Sequence, residues 1–280
     1  MKASDFFERA ALTAKSVVKM CLQSRGCSLP GCDDPGKPLI VMGNGPSLAG
    51  VIAGDMDVLH SYPTLAVNFA ANTPQFFEIR PRHYLLADPL FFNAVPAANV
   101  DTLWSALARV DWPMTLFVPS GNGKAVAAKL PGVDVREFNF VGLGGFHWFE
   151  NLVWGRRLGM PRPRNVLIPS IMAGIWMGYR EIYIVGADHS WTKTLEVADD
   201  NTVVSVQPHF YEDNKAEHSR VTALYKNIRL HELLLSFHVA FKSYFSVRRF
   251  ADRLGVRIYN STPGSFIDAF ERRGLPEAKD

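Results

Sequence analysis

The run Pro38-Leu39-Ile40-Val41-Met42 leads straight into Gly43-Asn44-Gly45-Pro46-Ser47-Leu48. A short apolar run that ends in a glycine turn reads as a buried strand. A helix is expected to start at Pro46-Ser47, because proline suits the first helical turn and serine can cap its free N–H groups. Glycine turns the backbone sharply and lets a ligand approach without a Cβ in the way. The helix start offers N–H donors and a positive dipole end, so Gly43, Asn44, Gly45, Pro46 and Ser47 are expected to meet a phosphate or nucleotide. An ordinary β-to-α turn uses the same letters. The dinucleotide fingerprint GxGxxG is absent, and no Gly-Lys-Ser/Thr follows to make a P-loop.

Further strand-like runs are Thr64–Phe69, His83–Ala87, Thr115–Val118, Val135–Phe138, Glu181–Val185 and Val256–Tyr259, with helical segments between most of them. That alternation predicts an α/β fold: a Rossmann-like, mostly parallel sheet with helices on both faces. The expected organisation is a helix (residues 3 to 23, apolar at Phe6, Ala10, Leu12, Val17 and Met20) and lead-in loop over 1–37, an α/β nucleotide-binding domain over 38–270, and a tail over 271–280. Ligands of such sheets bind at the carboxyl ends of strands. This rule selects Gly43 to Ser47, Asn68, Asp88-Pro89, Pro119-Ser120-Gly121 and Gly186-Ala187-Asp188-His189. Each of Asn68, Asp88 and Asp188 alone is also what a turn or helix cap requires. The polar stretch 190–219, with a short strand expected at Thr202–Val206, reads as a lid over those strand ends.

At 280 residues and 48% apolar content the chain can bury a sizeable core. A formal charge of +3 gives no argument for a nucleic acid partner. No apolar run is long enough to span a bilayer, and Asp5, Glu8, Arg9 and Lys15 interrupt any signal-peptide core, so a cytoplasmic protein is expected. Cys21, Cys27 and Cys32 have neither metal-site spacing nor an even count, and read as free thiols. The helical stretch from 220 to 254 is rich in aromatic and basic residues: Phe241, Lys242, Tyr244, Phe245, Arg248, Arg249, Phe250 and Arg253. It is either a core helix with a solvated basic face or a surface that meets anionic lipid at the inner face of the membrane. Self-association is left open.

In order along the chain these motifs resemble the bacterial sialyltransferases of glycosyltransferase family 42. Gly43-Asn44-Gly45-Pro46-Ser47-Leu48 is similar to their nucleotide loop. Asn68-Phe69 resembles their Asn-Gln-Phe segment, and Asp88-Pro89-Leu90-Phe91-Phe92 their Asn-Pro-Ser-Leu-Phe-Phe stretch. Ala173 to Asp188 resembles their helix, Gly-Tyr-Lys-Glu-Ile-Tyr strand and Gly-Ile-Asp turn. Val256 to Phe266 resembles their last strand and Pro-Asn-Ser turn. The likeness runs over roughly residues 38 to 270 and implies a glycosyltransferase-A type fold that binds a nucleotide sugar. Asn44, Gly45 and Ser47 would face the donor's phosphate and ribose, Asn68, Asp88 and Asp188 would help hold the nucleotide, and Ser265 would reach it from the far side. The family's general base is a lid histidine followed by tyrosine; His209-Phe210-Tyr211 is the first match and His218 the second. Histidine suits a base that works near neutral pH.

The chain departs from the family in two places. The segment Asp188-His189-Ser190-Trp191-Thr192-Lys193 lacks the family's tyrosines, which leaves Lys193 or His189 to steady the leaving phosphate. The Thr-Ser pair that grips the sialate carboxylate has Asn165 or Ser170 as its nearest counterpart. The implied function is transfer of sialic acid or a related sugar from a CMP-sugar to a hydroxyl of a cell-surface glycan, of the lipopolysaccharide or capsule kind, with no metal required. A second resemblance, through the Gly-x-Gly-Pro-Ser-Leu loop and the Gly-x-Asp turn, is to 6-hydroxymethylpterin diphosphokinase-like proteins. It would imply ATP and Mg²⁺ held by Asp88 and Asp188. A third reading is a nucleotide binder without turnover. Asp55-Met56-Asp57 mimics a metal-binding DxD, but it reads better as a solvated acidic turn.

Overall fold

A computed structural model describes residues 3–93, 98–205, 210 and 228–278. Its centre is an eight-stranded sheet of order β10-β9-β6-β1-β2-β3-β4-β5, parallel throughout. The strands are β1 (Leu39–Met42), β2 (Thr64–Val67), β3 (His83–Leu85), β4 (Thr115–Pro119), β5 (Asp134–Phe138), β6 (Glu181–Val185), β9 (Arg257–Asn260) and β10 (Glu271–Arg272). The fold is α/β and Rossmann-like, as the alternation of elements requires. Parallel pairing explains why Leu39–Met42 is apolar at every position: both faces of the strand are covered.

Side chains of β1 alternate between two cores. Leu39 and Val41 pack under α7 (His147–Gly155), α8 (Leu167–Met177) and α9 (Leu230–Arg253). Ile40 and Met42 pack under α2 (Leu48–Gly54), α3 (Met56–Ser61), α4 (Pro74–Ile79), α5 (Ala98–Leu107) and α6 (Gly123–Lys129). The chain winds from β1 to β5 on one side, then crosses to β6 on the other. The β1–β6 pair is therefore the topological switch point, where sheets of this kind bind ligands.

Several elements differ from the sequence reading. Strand β2 stops at Val67 because Asn68 turns to φ 49°, and a 3₁₀ turn follows over Asn68–Asn72. The described part of the 190–219 stretch, residues 190–205 and 210, carries the strand expected at 202–206 and two further elements. A 3₁₀ turn at Trp191–Thr194 precedes an antiparallel hairpin of β7 (Leu195–Val197) and β8 (Val203–Ser205). Val203 packs there with Leu233 and Phe237 of α9. The expected tail begins with edge strand β10, and Tyr62 OH donates to Glu277 O at 2.7 Å.

Helix α1 (Ala3–Gln23) forms over the expected residues; of its apolar residues Ala10 and Met20 are half-buried, with Met20 against the core, while Phe6, Leu12 and Val17 are exposed. On the aromatic and basic stretch of α9, read as either a core helix with a solvated basic face or a lipid-facing surface, Tyr244 and Phe250 are buried and Phe245 is exposed, while Arg248 Nη1 donates to Ala269 O and Arg249 pairs with Glu150. Asp55 and Asp57 lie at the junction of α2 and α3, the end of α2 remote from the carboxyl end of β1. Among the described residues, no helix is long and apolar enough to cross a membrane.

Candidate functional site

The switch point is closed by the protein itself. Gly43 N donates to Val185 O and Gly45 N to Gly186 O, both at 2.8 Å, so the loop after β1 is zipped to the loop after β6. A Cβ on Gly43 would stand 2.5 Å from Gly186 O, and one on Gly45 would stand 2.1 Å from Asp188 Oδ2. The glycines are needed for this loop-to-loop approach. Asp188 then lays its carboxylate at the start of α2: Ser47 Oγ donates to Oδ2 at 2.7 Å, and Ser47 N lies 3.4 Å from it. Ser47 is not a side-chain cap for its own helix, since its hydroxyl is spent on Asp188. The anion expected at the helix start is Asp188, and no phosphate need be invoked there.

On the other side of β1 the polar groups are less satisfied. Asn44 Nδ2 donates to Val67 O at 3.1 Å, which carries the side chain across to the end of β2. Its Oδ1 is buried without a partner, as is Oδ1 of Asn68. A buried, unpartnered acceptor costs about 1–3 kcal/mol. Two on neighbouring strand ends are a place for a ligand's hydroxyl or amino donors. Asp88, at the end of the next strand, caps a short 3₁₀ turn by accepting from Leu90 N at 2.8 Å.

The 3₁₀ turn that starts at Asn68 ends at Asn72, whose Oδ1 is also buried and unpartnered. Asn72 borders a cleft of about 440 Å³ against α5, with Thr73, Phe77, Thr102, Ser105 and Arg109 around it. That volume suits a small ligand. Asn72 and Arg109 were not among the residues singled out from the sequence; the signal was the second asparagine of Asn68-Phe69-Ala70-Ala71-Asn72, directly behind a strand.

The lid side is built on His189. It has φ 49°, is buried, and stacks on Trp191 with ring centroids 4.2 Å apart. Tyr244 OH donates to Asn165 Oδ1 at 3.0 Å, so the 2.7 Å contact between His189 Nε2 and Tyr244 OH has the imidazole donating. Burial lowers the His189 pKa to about 3. The ring is neutral at pH 7 and supplies no positive charge to a leaving phosphate. Lys193 is exposed, with Nζ 5.1 Å from the centre of the Phe266 ring.

Asn165 Oδ1 also accepts from Leu167 N at 3.0 Å and Ile168 N at 3.3 Å, which starts α8, while its Nδ2 is buried and unpartnered. Ser170 is fully buried inside α8 and donates to Val166 O at 2.8 Å. Ser265 Oγ donates to Ala187 O at 2.6 Å and accepts from Asn260 Nδ2 and Ile267 N. Its hydroxyl joins the loops after β6 and β9.

His209 and His218 lie outside the described residues. Phe210, which follows His209 in the chain, donates its N–H to Asn44 O at 2.9 Å. It also closes an apolar hollow lined by Met42, Leu48, Ile52 and Phe76, with room of only about 10 Å³. Asp88 and Asp188 terminate strands three spacings apart in the sheet, ~14 Å, too far for both to bind one metal ion. Among the described residues there is no cluster of three or more His, Cys, Asp or Glu side chains able to hold a metal.

The fold and this strand-end site define a Rossmann-like α/β protein. No protein-family model matches the chain, and no curated protein matches it.

Proposed function

We propose that this protein is a glycosyltransferase that moves a sugar from a nucleotide donor, a CMP-sugar of the sialyl or related kind, to a hydroxyl of a cell-surface glycan. The observation that carries this reading is the pair of buried, unpartnered amide oxygens of Asn44 and Asn68 at the ends of neighbouring strands. They are acceptors waiting for donors, and ribose hydroxyls or a base amino group supply them. Asp88 stands beside them at the end of β3, and Asn72 continues the polar edge into the cleft. At the same end of the sheet Asn165 Nδ2 adds an unpartnered donor for the sugar.

The Phe210–Asn44 bond brings the chain next to His209 over the same loop, which supports His209 as the base for the acceptor hydroxyl. A lid there also keeps water from the donor. Lys193 is the cationic residue left to meet the leaving phosphate. On this reading the reaction runs in the cytoplasm, on the nucleotide-sugar pool.

Thermal-shift binding against CMP, CDP, UDP, GDP, ADP and ATP, each with and without Mg²⁺, tests the proposal. Ligand that binds the native state raises the melting temperature by mass action. A shift with CMP that is indifferent to Mg²⁺ is expected. A shift with ATP and Mg²⁺ alone, or none with any cytidine nucleotide, overturns it.

A further inference from the structure

Helix α1 is attached to the protein mainly by polar groups, with Met20 on the core and Phe6 against Phe146 as its apolar contacts. Ser16 Oγ donates to Gly144 O at 2.7 Å, Thr13 Oγ1 accepts from Phe146 N at 3.0 Å, and Arg9 and Lys19 reach Gly145 O and Gly142 O. Ser16 is the one buried residue of the helix. The opposite side carries Phe7, Ala11, Ala14, Val18 and Cys21, all exposed and spaced alternately four and three residues apart. That is the spacing of a seam between two helices. Phe7 is 70% and Val18 60% exposed. A helix gains most of its stability by burying its apolar stripe, and here the stripe is outside.

We propose that this stripe is the contact face of a homodimer, in which α1 pairs antiparallel with α1 of a second copy about a two-fold axis that stacks Ala11 on Ala14. Charge selects the partner and the direction. Of the charged residues not turned to the protein, Asp5 and Glu8 lie in the first half of the helix and Lys15 in the second, while Arg9 and Lys19 are spent on Gly145 O and Gly142 O. Antiparallel pairing lays the acidic half of each helix along the basic half of the other. Parallel pairing sets like charges together, and an anionic bilayer repels the acidic half. The register that stacks Ala11 on Ala14 puts Phe7 against Val18 and Ser4 against Cys21. It leaves Glu8 and Lys15 offset by ~3 Å along the axis, within side-chain reach. The two small residues at the centre let the backbones come close, and the two-fold axis makes every contact twice.

Light scattering coupled to size exclusion is expected to give twice the 31.2 kDa chain mass. Ala14→Glu is expected to halve that mass with the far-ultraviolet circular-dichroism spectrum of the folded protein unchanged, since Ala14 is exposed in the single chain, and to remove any dependence of the melting temperature on protein concentration. Ser4→Cys is expected to form a covalent dimer through Cys21 under mild oxidation, located by peptide mapping. A wild-type mass of one chain at every concentration, an Ala14→Glu dimer, or a Cys21–Cys21 link in the wild-type protein overturns the proposal. So does flotation of single-chain protein with phosphatidylserine vesicles that Ala14→Glu abolishes, which would assign the stripe to lipid.

Discussion

Ser47 Oγ donates to Asp188 Oδ2 at 2.7 Å, joining residues 141 positions apart and closing the switch point between β1 and β6. The carboxylate stands where a phosphate was expected. This one bond divides the strand-end residues into two groups. Gly43, Gly45, Ser47 and Asp188 hold two loops together, while Asn44, Asn68 and Asp88 follow the ends of β1, β2 and β3 on the other side of this lock.

Asp188→Ala therefore should act on stability. It leaves the Ser47 hydroxyl and N–H without their acceptor and removes a negative charge from the start of α2. The expected loss is about 1–3 kcal/mol in urea unfolding. If Asp188 instead served only substrate, the variant would keep wild-type stability, which would sink the lock. Gly45→Ala should be at least as damaging, because its Cβ has no room beside Asp188 and Gly186.

Much of this architecture is legible in the sequence, and the reasons are local. Leu39–Met42 and Glu181–Val185 are short apolar runs bounded by Pro38 and Gly43 or by Arg180 and Gly186, so both strands can be read to the residue. The ends of β2 and β3 are less clear, since Phe69 and Ala87 continue the apolar run while the backbone has already left the ladder. Strand β8 falls where a strand was expected, within 202–206, but its partner β7 is hidden because Glu196 and Val197 are exposed and the turn between the two strands is Asp199-Asp200-Asn201. The Gly43–Ser47 loop announces a special turn, but its neighbour Asp188 is distant in sequence and only folding pairs them. Asn44 and Asn68 carry the proposed site because their oxygens stay unpartnered, and letters alone do not show a missing partner.

Stability should fall as the pH drops below neutral. Burial lowers the pKa of His189 to about 3; burial, with a lesser contribution from Arg82, lowers that of His83 to about 4. An unfolded histidine takes up its proton near pH 6.5. Between about 6.5 and the folded values the unfolded chain binds more protons, so the contribution is full above that window and is lost as pH falls through it. Each fully engaged histidine steepens the dependence by ~1.4 kcal/mol per pH unit. Unfolding free energies measured from pH 7 to 5 should show this fall, with a shallower slope in His189→Phe. Equal slopes in the two proteins would mean that His189 titrates normally in the folded chain.

Ser265→Ala separates a structural from a ligand-facing hydroxyl. The wild-type Oγ satisfies Ala187 O, Asn260 Nδ2 and Ile267 N at once. Its removal strands buried polar groups and should cost about 1–3 kcal/mol, while the affinity for CMP stays within about twofold. A variant of unchanged stability with CMP binding lost would restore Ser265 to the donor site.

Asn68→Gly gives the most direct test of the strand-end site. Asn68 holds φ 49°, a conformation that glycine adopts freely, so the turn survives the change. The substitution removes a buried oxygen that has no partner in the ligand-free protein. The melting temperature should therefore hold or rise. CMP should then lose the acceptor for one of its donors, weakening binding about tenfold, the equivalent of ~1.4 kcal/mol. Asn44→Ala should weaken CMP binding to a similar degree, but it also lowers stability, because Nδ2 no longer bridges to Val67 O. Isothermal titration and thermal melts on the two variants read both quantities. Unaltered CMP affinity in both would move the ligand away from the ends of β1 and β2.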